Sequence, residues 1–110
     1  MKLRFCVPVS LFLLLAACGI AVPPDRLDYV GDWRSEHTSL LITREGRVEY
    51  RHERENTKTS LEAPLQRFEG DDFYVGVGKL ARQFKVDKRP YQVGADWAIV
   101  VDGEMLRKFH

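Results

Sequence analysis

The stretch Trp97-Ala98-Ile99-Val100-Val101-Asp102-Gly103-Glu104-Met105-Leu106-Arg107-Lys108-Phe109 decides the fold class of this chain. Asp102-Gly103 favours positive φ at two central positions, so it predicts a two-residue type I′ turn between antiparallel strands. Alternation along the first strand then places Trp97, Ile99 and Val101 on one inward face.

Side-chain character also alternates with a period of two from Val48 to Glu55. Val48, Tyr50 and His52 share one face, and charged side chains fill the other. The preceding Arg44-Glu45-Gly46-Arg47 predicts a hairpin loop. Further strands are predicted around Gly31–Trp33, Ser39–Thr43, Leu61–Phe68, Phe73–Val77 and Gln83–Val86, with Pro90, Gly94 and Asp96 in a loop. The expected class is all-β: a small antiparallel meander, barrel or sandwich of about seven strands.

The N-terminus is built like a secretory signal. Lys2 and Arg4 precede an almost wholly apolar run, Val9 to Leu15, and the small residues Ala16 and Ala17 follow it directly before Cys18. An ordinary cleaved signal peptide and a membrane helix are the two alternatives, since the apolar region approaches spanning length.

Leu15-Ala16-Ala17-Cys18 resembles the lipobox of bacterial lipoproteins. The resemblance implies that residues 1–17 are a cleaved signal peptide and that Cys18 carries a diacylglycerol thioether. It also implies a lipid-anchored protein of the cell envelope, because lipidation converts a soluble domain into an anchored one. With Gly19 at the next position, the resemblance also implies the outer membrane, facing the periplasm, in a Gram-negative host.

The mature chain divides into two parts. Residues 18–28 form the lipidated cysteine and a short linker, and residues 29–110 form a single small β-domain that holds all of the core candidates. Eleven extended steps from Cys18 give the linker a reach of about 36 Å.

Composition limits the partners and the sources of stability. The full chain has 17 basic and 16 acidic residues. Loss of Lys2 and Arg4 leaves 15 against 16, a net charge of −1, so no global field recruits nucleic acid. Cys6 leaves with the signal and Cys18 is lipidated, so no disulfide can form within the mature domain.

Gly31-x-Trp33 resembles the opening motif of lipocalins, barrels that enclose an apolar ligand. The resemblance covers two residues, and lipocalins use eight long strands and more chain than remains here. Trp33 and Trp97 are therefore predicted as core residues, with a barrel-floor role for Trp33 as the alternative.

The remaining motifs predict no catalytic residue, no metal site and no cofactor. Gly76-Val77-Gly78-Lys79 lacks the Walker spacing, and its glycines are expected to bend a strand or end it. His37, His52 and His110 have no ligand spacing, and His52 is expected to be half-buried and pH-responsive if a carboxylate lies nearby. Asp71-Asp72 is expected to cap a turn rather than form a catalytic pair.

Charges alternate around the 44–55 hairpin and predict a solvated face with cross-strand ion pairs. The residues are Arg44, Glu45, Arg47, Glu49, Arg51, Glu53, Arg54 and Glu55. A peptidoglycan- or phosphate-facing patch is the alternative. The leading hypothesis is thus a non-enzymatic, membrane-anchored β-domain that binds an envelope protein or a peptidoglycan-associated partner. A lipocalin-like carrier or sensor of a small apolar ligand and an inhibitor of a secreted hydrolase remain alternatives.

Overall fold

The computed structural model describes residues 19–110, so the predicted signal peptide and Cys18 lie outside the described residues. Nine strands form one antiparallel, curled sheet in the order β6-β5-β4-β3-β2-β1-β9-β8-β7. The all-β prediction is confirmed, with nine strands instead of about seven. The strands are β1 Gly31–Arg34, β2 Thr38–Ile42, β3 Arg47–Arg54, β4 Thr57–Glu69, β5 Asp72–Val75, β6 Arg82–Phe84, β7 Val86–Val93, β8 Asp96–Val101 and β9 Glu104–Phe109; 3-10 helices span Pro24–Tyr29 and Gly78–Leu80.

Turn residues predicted both hairpins correctly. Asp102 and Gly103 have φ values of 51° and 80°, as a type I′ turn requires, and they join β8 to β9. Gly46, with φ of 96°, lies in the turn between β2 and β3. The loop predicted around Pro90 is wrong, because Pro90 lies within β7. β7 is an edge strand whose register shifts between Lys88 and Tyr91, and both features accommodate a residue without an N–H.

The two edge strands of the sheet are consecutive in sequence, with only Lys85 between β6 and β7. The backbone N–H of Asp102 donates to the Lys85 carbonyl at 2.7 Å. The N–H of Val86 donates to Asp72 Oδ1 at 2.8 Å. The sheet therefore curls into a half-barrel whose two edges meet at Lys85.

The first 3-10 helix bridges the two edges where they diverge. Its Tyr29 hydroxyl donates to the Asp71 carbonyl at 2.7 Å, on the β4–β5 side. On the other side, Arg89 of β7 donates to the Asp25 carbonyl at 3.0 Å. Burial raises the pKa of Tyr29 to about 12, so its phenol stays a neutral donor.

One apolar cluster fills the inside of the half-barrel. Its side chains come from all nine strands and from the segment before β1, and none exceeds 6% exposure. They are Val22, Tyr29, Trp33, Leu40, Ile42, Val48, Leu65, Phe73, Val75, Phe84, Val86, Ile99, Val101 and Leu106. A chain that begins at Cys18 retains this whole cluster.

The two tryptophans differ. Trp33 is fully buried, and its prediction as a core residue is confirmed. The prediction for Trp97 is wrong, because that side chain is 37% exposed. Trp97 lies near the start of β8, one residue before the Ala98–Arg107 pair that begins the ladder with β9. The predicted inward orientation of alternate residues is correct for Ile99 and Val101. Trp97 stands at the end of the sheet, where fewer neighbours cover it.

Residues 19–22 lie against the sheet. Ile20 N–H donates to the Leu65 carbonyl at 3.2 Å, and Val22 N–H donates to the Arg44 carbonyl at 3.0 Å. Val22 is only 6% exposed, so the expectation that every core residue lies beyond the linker is wrong. Among residues 19–110, no helix has the length and apolar character needed to cross a membrane.

Candidate functional site

Strand register places five polar side chains in a row across the outer face of the sheet. In order across β9, β1, β2, β3 and β4, they are Arg107, Arg34, Ser39, Arg51 and Ser60. We call this set the arginine–serine row. Neighbouring strands lie about 4.8 Å apart, so the row is about 19 Å long. Its residues alternate with the buried Trp33 and Leu40, which confirms that they face outward.

An open groove of about 550 Å³ runs along four members of this row, Arg34, Ser39, Arg51 and Ser60, and reaches the turn between β1 and β2. Its lining combines cations, carboxylates and hydroxyls. The lining residues are Arg34, Ser35, Glu36, His37, Thr38, Ser39, Arg51, Glu53, Lys58, Thr59 and Ser60. A groove of this chemistry suits a polar, extended partner with anionic groups and hydroxyls.

Ion pairs occupy most of the neighbouring cations. Arg34 donates through Nε and Nη2 to both oxygens of Asp32, at 3.1 and 2.9 Å. Arg47 donates to Glu49 at 3.0 Å and also bonds Glu62 on the next strand. Ion pairs predicted on this face are thus confirmed at Arg47.

Arg51 differs from these neighbours. Within residues 19–110, no carboxylate lies within 4.0 Å of its guanidinium, and the nearby Lys58 is paired with Glu53 at 3.4 Å. The side chain is exposed and stands between the hydroxyls of Ser39 and Ser60 on the adjoining strands. Its five N–H groups are therefore available for a carboxylate, a phosphate or a sugar hydroxyl.

A hydrogen-bonded network lies behind one end of the groove. Thr38 is 5% exposed, and its Oγ1 donates to Glu104 Oε1 at 2.7 Å. The same oxygen lies 2.7 Å from His52 Nδ1, so it accepts from that ring when Nδ1 carries the proton. Ser35 Oγ bonds the other oxygen of Glu104. His52 is half-buried, as predicted, and Thr38 connects it to a carboxylate.

This network has serine, histidine and carboxylate groups, but their connections do not activate a nucleophile. His52 contacts Thr38 rather than Ser35, and Ser35 gives its proton directly to Glu104. Burial raises the pKa of Glu104, but the hydrogen bonds from Ser35 and Thr38 outweigh it, and the net pKa is lowered. A carboxylate with a lowered pKa is a poor base. The network therefore fixes the β1–β2 turn beside the groove.

The other predicted positions have structural contacts. β5 ends at Val75 just before Gly76, where an added Cβ would approach Ala81 Cα to 2.9 Å, so the glycine does end a strand. Asp72 accepts hydrogen bonds from the Val86 N–H and from Gln83. Among residues 19–110, no three His, Cys, Asp or Glu side chains are grouped as metal ligands.

A carrier of an apolar ligand would need space inside the half-barrel, and aromatic rings occupy that interior. Phe73 and Phe84 are fully buried and stack with their centroids 5.1 Å apart. Tyr50 lies edge-on to Phe84, also at 5.1 Å.

Comparison with protein-family models, with curated proteins and with solved structures gives no match for this chain.

Proposed function

We propose that this chain is a lipid-anchored, non-enzymatic binding protein of the bacterial cell envelope, placed at the outer membrane and facing the periplasm in a Gram-negative host. A diacylglycerol thioether on Cys18 holds it in the membrane, and the groove along the arginine–serine row binds peptidoglycan. The domain needs no cofactor for this role.

The observation that carries the proposal is the separation of the anchor point from the groove. Gly19, the residue after Cys18, lies against Pro64 and Leu65 of β4, where an added Cβ would come within 2.5 Å of the Leu65 carbonyl oxygen. Ser60 of the groove lies five residues away on the same strand, about 17 Å along it. A lipid on Cys18 thus leaves the groove open to the periplasm.

The anchor is tested by Cys18→Ser. The thioether needs the thiol at this position, so the variant should remain an unprocessed precursor and incorporate no labelled fatty acid. Cys6→Ser, a change inside the predicted signal peptide, is the matched control and should be labelled normally. Fatty-acid label that persists in Cys18→Ser would contradict the proposal.

The groove is tested by co-sedimentation with purified peptidoglycan sacculi. Arg51→Glu should weaken binding about tenfold or more, because a charge-assisted hydrogen bond contributes roughly 1.5–3 kcal/mol and 1.4 kcal/mol corresponds to a factor of ten. Binding by the unaltered chain should also fall as salt is added.

Arg44→Glu makes the same charge change at the β2–β3 hairpin, outside the groove, and should bind like the unaltered chain. Equal losses in the two variants would indicate nonspecific attraction. If the unaltered chain does not sediment with sacculi but captures an envelope protein in an Arg51-dependent manner, the partner is that protein and the peptidoglycan assignment is wrong.

A further inference from the structure

Two of the most exposed apolar side chains lie together in the loop between β5 and β6. Leu80 is 91% exposed and Val77 is 65% exposed. Lys79 stands between them, and all three belong to or adjoin the 3-10 helix Gly78–Leu80. The core cluster contains none of these residues, so the loop projects apolar groups into solvent without a partner in the described chain.

This loop lies beside the point where the chain enters the domain. On one side of β4, Ile20 N–H donates to the Leu65 carbonyl at 3.2 Å. On the other side, Gly76 N–H donates to the Pro64 carbonyl at 2.8 Å. The backbones of Ile20 and Gly76 are thus two strand spacings apart, about 10 Å. Ile20 is itself 42% exposed and extends the apolar surface toward Cys18.

The segment after Cys18 has no slack to move the domain away from a membrane. Backbone hydrogen bonds hold Ile20 and Val22 on the sheet, and an added Cβ on Gly19 would collide with Leu65 and Pro64. A linker reach of about 36 Å applies to a free chain, and these contacts remove most of it. Acyl chains on Cys18 would therefore place the bilayer surface against this end of the half-barrel.

We propose that Val77 and Leu80 insert into the lipid surface beside the acylated Cys18, so that the domain docks on the bilayer in one orientation. The proposal rests on the lipid anchor proposed above. Exposed aliphatic side chains partition into the interfacial region, and Lys79 adds attraction to anionic headgroups. Arg44 of the adjacent hairpin also favours an anionic surface, whereas Glu45 opposes it.

Hydrogen exchange of residues 76–81 tests the docking. The acylated mature chain is reconstituted in vesicles of phosphatidylcholine mixed with phosphatidylglycerol and compared with the unacylated mature chain in solution without vesicles. Exchange in this loop should slow by about tenfold, as expected for a loop covered about nine tenths of the time. The β3–β4 turn at Glu55-Asn56, which precedes β4 and is eight residues from Pro64, should not change.

The double variant Val77→Asp with Leu80→Asp should lose this protection. Both positions are exposed, so its circular dichroism and melting temperature should match those of the unaltered protein. Exchange that is equally slow in the variant, or unchanged by vesicles in the unaltered protein, would overturn the docking. Protection that needs no vesicles and grows with protein concentration would show that a second copy covers the loop, which also overturns it.

A second preparation separates this proposal from the anchor itself. The mature chain from Cys18 has no other thiol, so Cys18 can be coupled directly to a maleimide lipid in the same vesicles. Protection of 76–81 here, together with no lipid on the cellular protein, would support the docking geometry and contradict the natural anchor. No protection in either preparation would contradict the docking alone.

Discussion

Trp33→Ala should lower the free energy of unfolding severely, whereas Trp97→Ala should lower it only slightly. Trp33 has no exposed surface, and its indole Nε1–H donates to the Tyr29 carbonyl at 2.9 Å. Alanine would leave a cavity in the half-barrel and an unsatisfied carbonyl. The expected loss is about 3–5 kcal/mol of the free energy of unfolding, against a total on the order of 5–15 kcal/mol.

Trp97→Ala is the matched control, because it is the same substitution at a partly exposed site. Its 37% exposure predicts a loss of about 1 kcal/mol, typical of a single substitution. Urea unfolding followed by far-UV circular dichroism measures both variants independently of tryptophan fluorescence. Similar losses at the two positions would contradict the assignment of Trp33 to the core and Trp97 to the periphery.

The burial of the β8 side chains shows what alternation in a sequence can predict. Period two correctly places Ile99 and Val101 inward, since parity depends only on neighbouring residues. It does not say how far the neighbouring strand extends. The β8–β9 ladder begins at Ala98 and Arg107, and Trp97 lies just beyond it. Exposure at a strand end is therefore a property of the register.

Turns that need a glycine with positive φ could be predicted from the sequence, whereas strand β7 could not. Asp102-Gly103 is a dipeptide that usually forms a tight two-residue hairpin turn. Pro90 signals a loop in the sequence, because proline lacks the N–H that a central strand needs. Only the topology makes β7 an edge strand, and an edge tolerates that loss.

The groove was only partly predictable. The charges of the 44–55 hairpin indicate ion pairs, but the sequence cannot say that Arg47 has carboxylate partners and that Arg51, in the groove, has none among residues 19–110. That depends on cross-strand register, which pairs Glu49 with Glu62 across β3 and β4 and places Arg51 opposite Ser60. Val22 and Glu104 were missed because the local sequence does not show their contacts. Val22 lies in a proline-containing segment, and the partners of Glu104 are 66 and 69 residues distant.

Gly46→Ala should destabilise the protein far more than Gly103→Ala, although both glycines have positive φ. The φ values are 96° and 80°, so alanine suffers comparable backbone strain of about 1–3 kcal/mol at either site. At Gly103 nothing lies within 4 Å of an added Cβ. At Gly46 that Cβ would stand 1.7 Å from the Ile20 carbonyl oxygen, and the obstacle is backbone rather than a flexible side chain.

The Gly46→Ala collision can be relieved by moving residues 19–22 off the sheet. That movement would break the hydrogen bonds of Ile20 and Val22 and expose the Val22 side chain. Lost hydrogen bonds of about 0.5–1.5 kcal/mol each, together with roughly 1.5–3 kcal/mol for valine burial, give an additional loss of about 3 kcal/mol or more. Urea unfolding measures the difference from Gly103→Ala.

Hydrogen exchange shows where the Gly46→Ala loss arises, because fast exchange should be confined to residues 19–22 and their partners. Equal stability of the two glycine variants, with residues 19–22 still protected, would contradict this account. In the anchored protein, release of this segment restores the slack of a free linker. Gly46→Ala should then also reduce vesicle-dependent protection of residues 76–81, although it leaves Val77 and Leu80 intact, because docking depends on the short connection to Cys18.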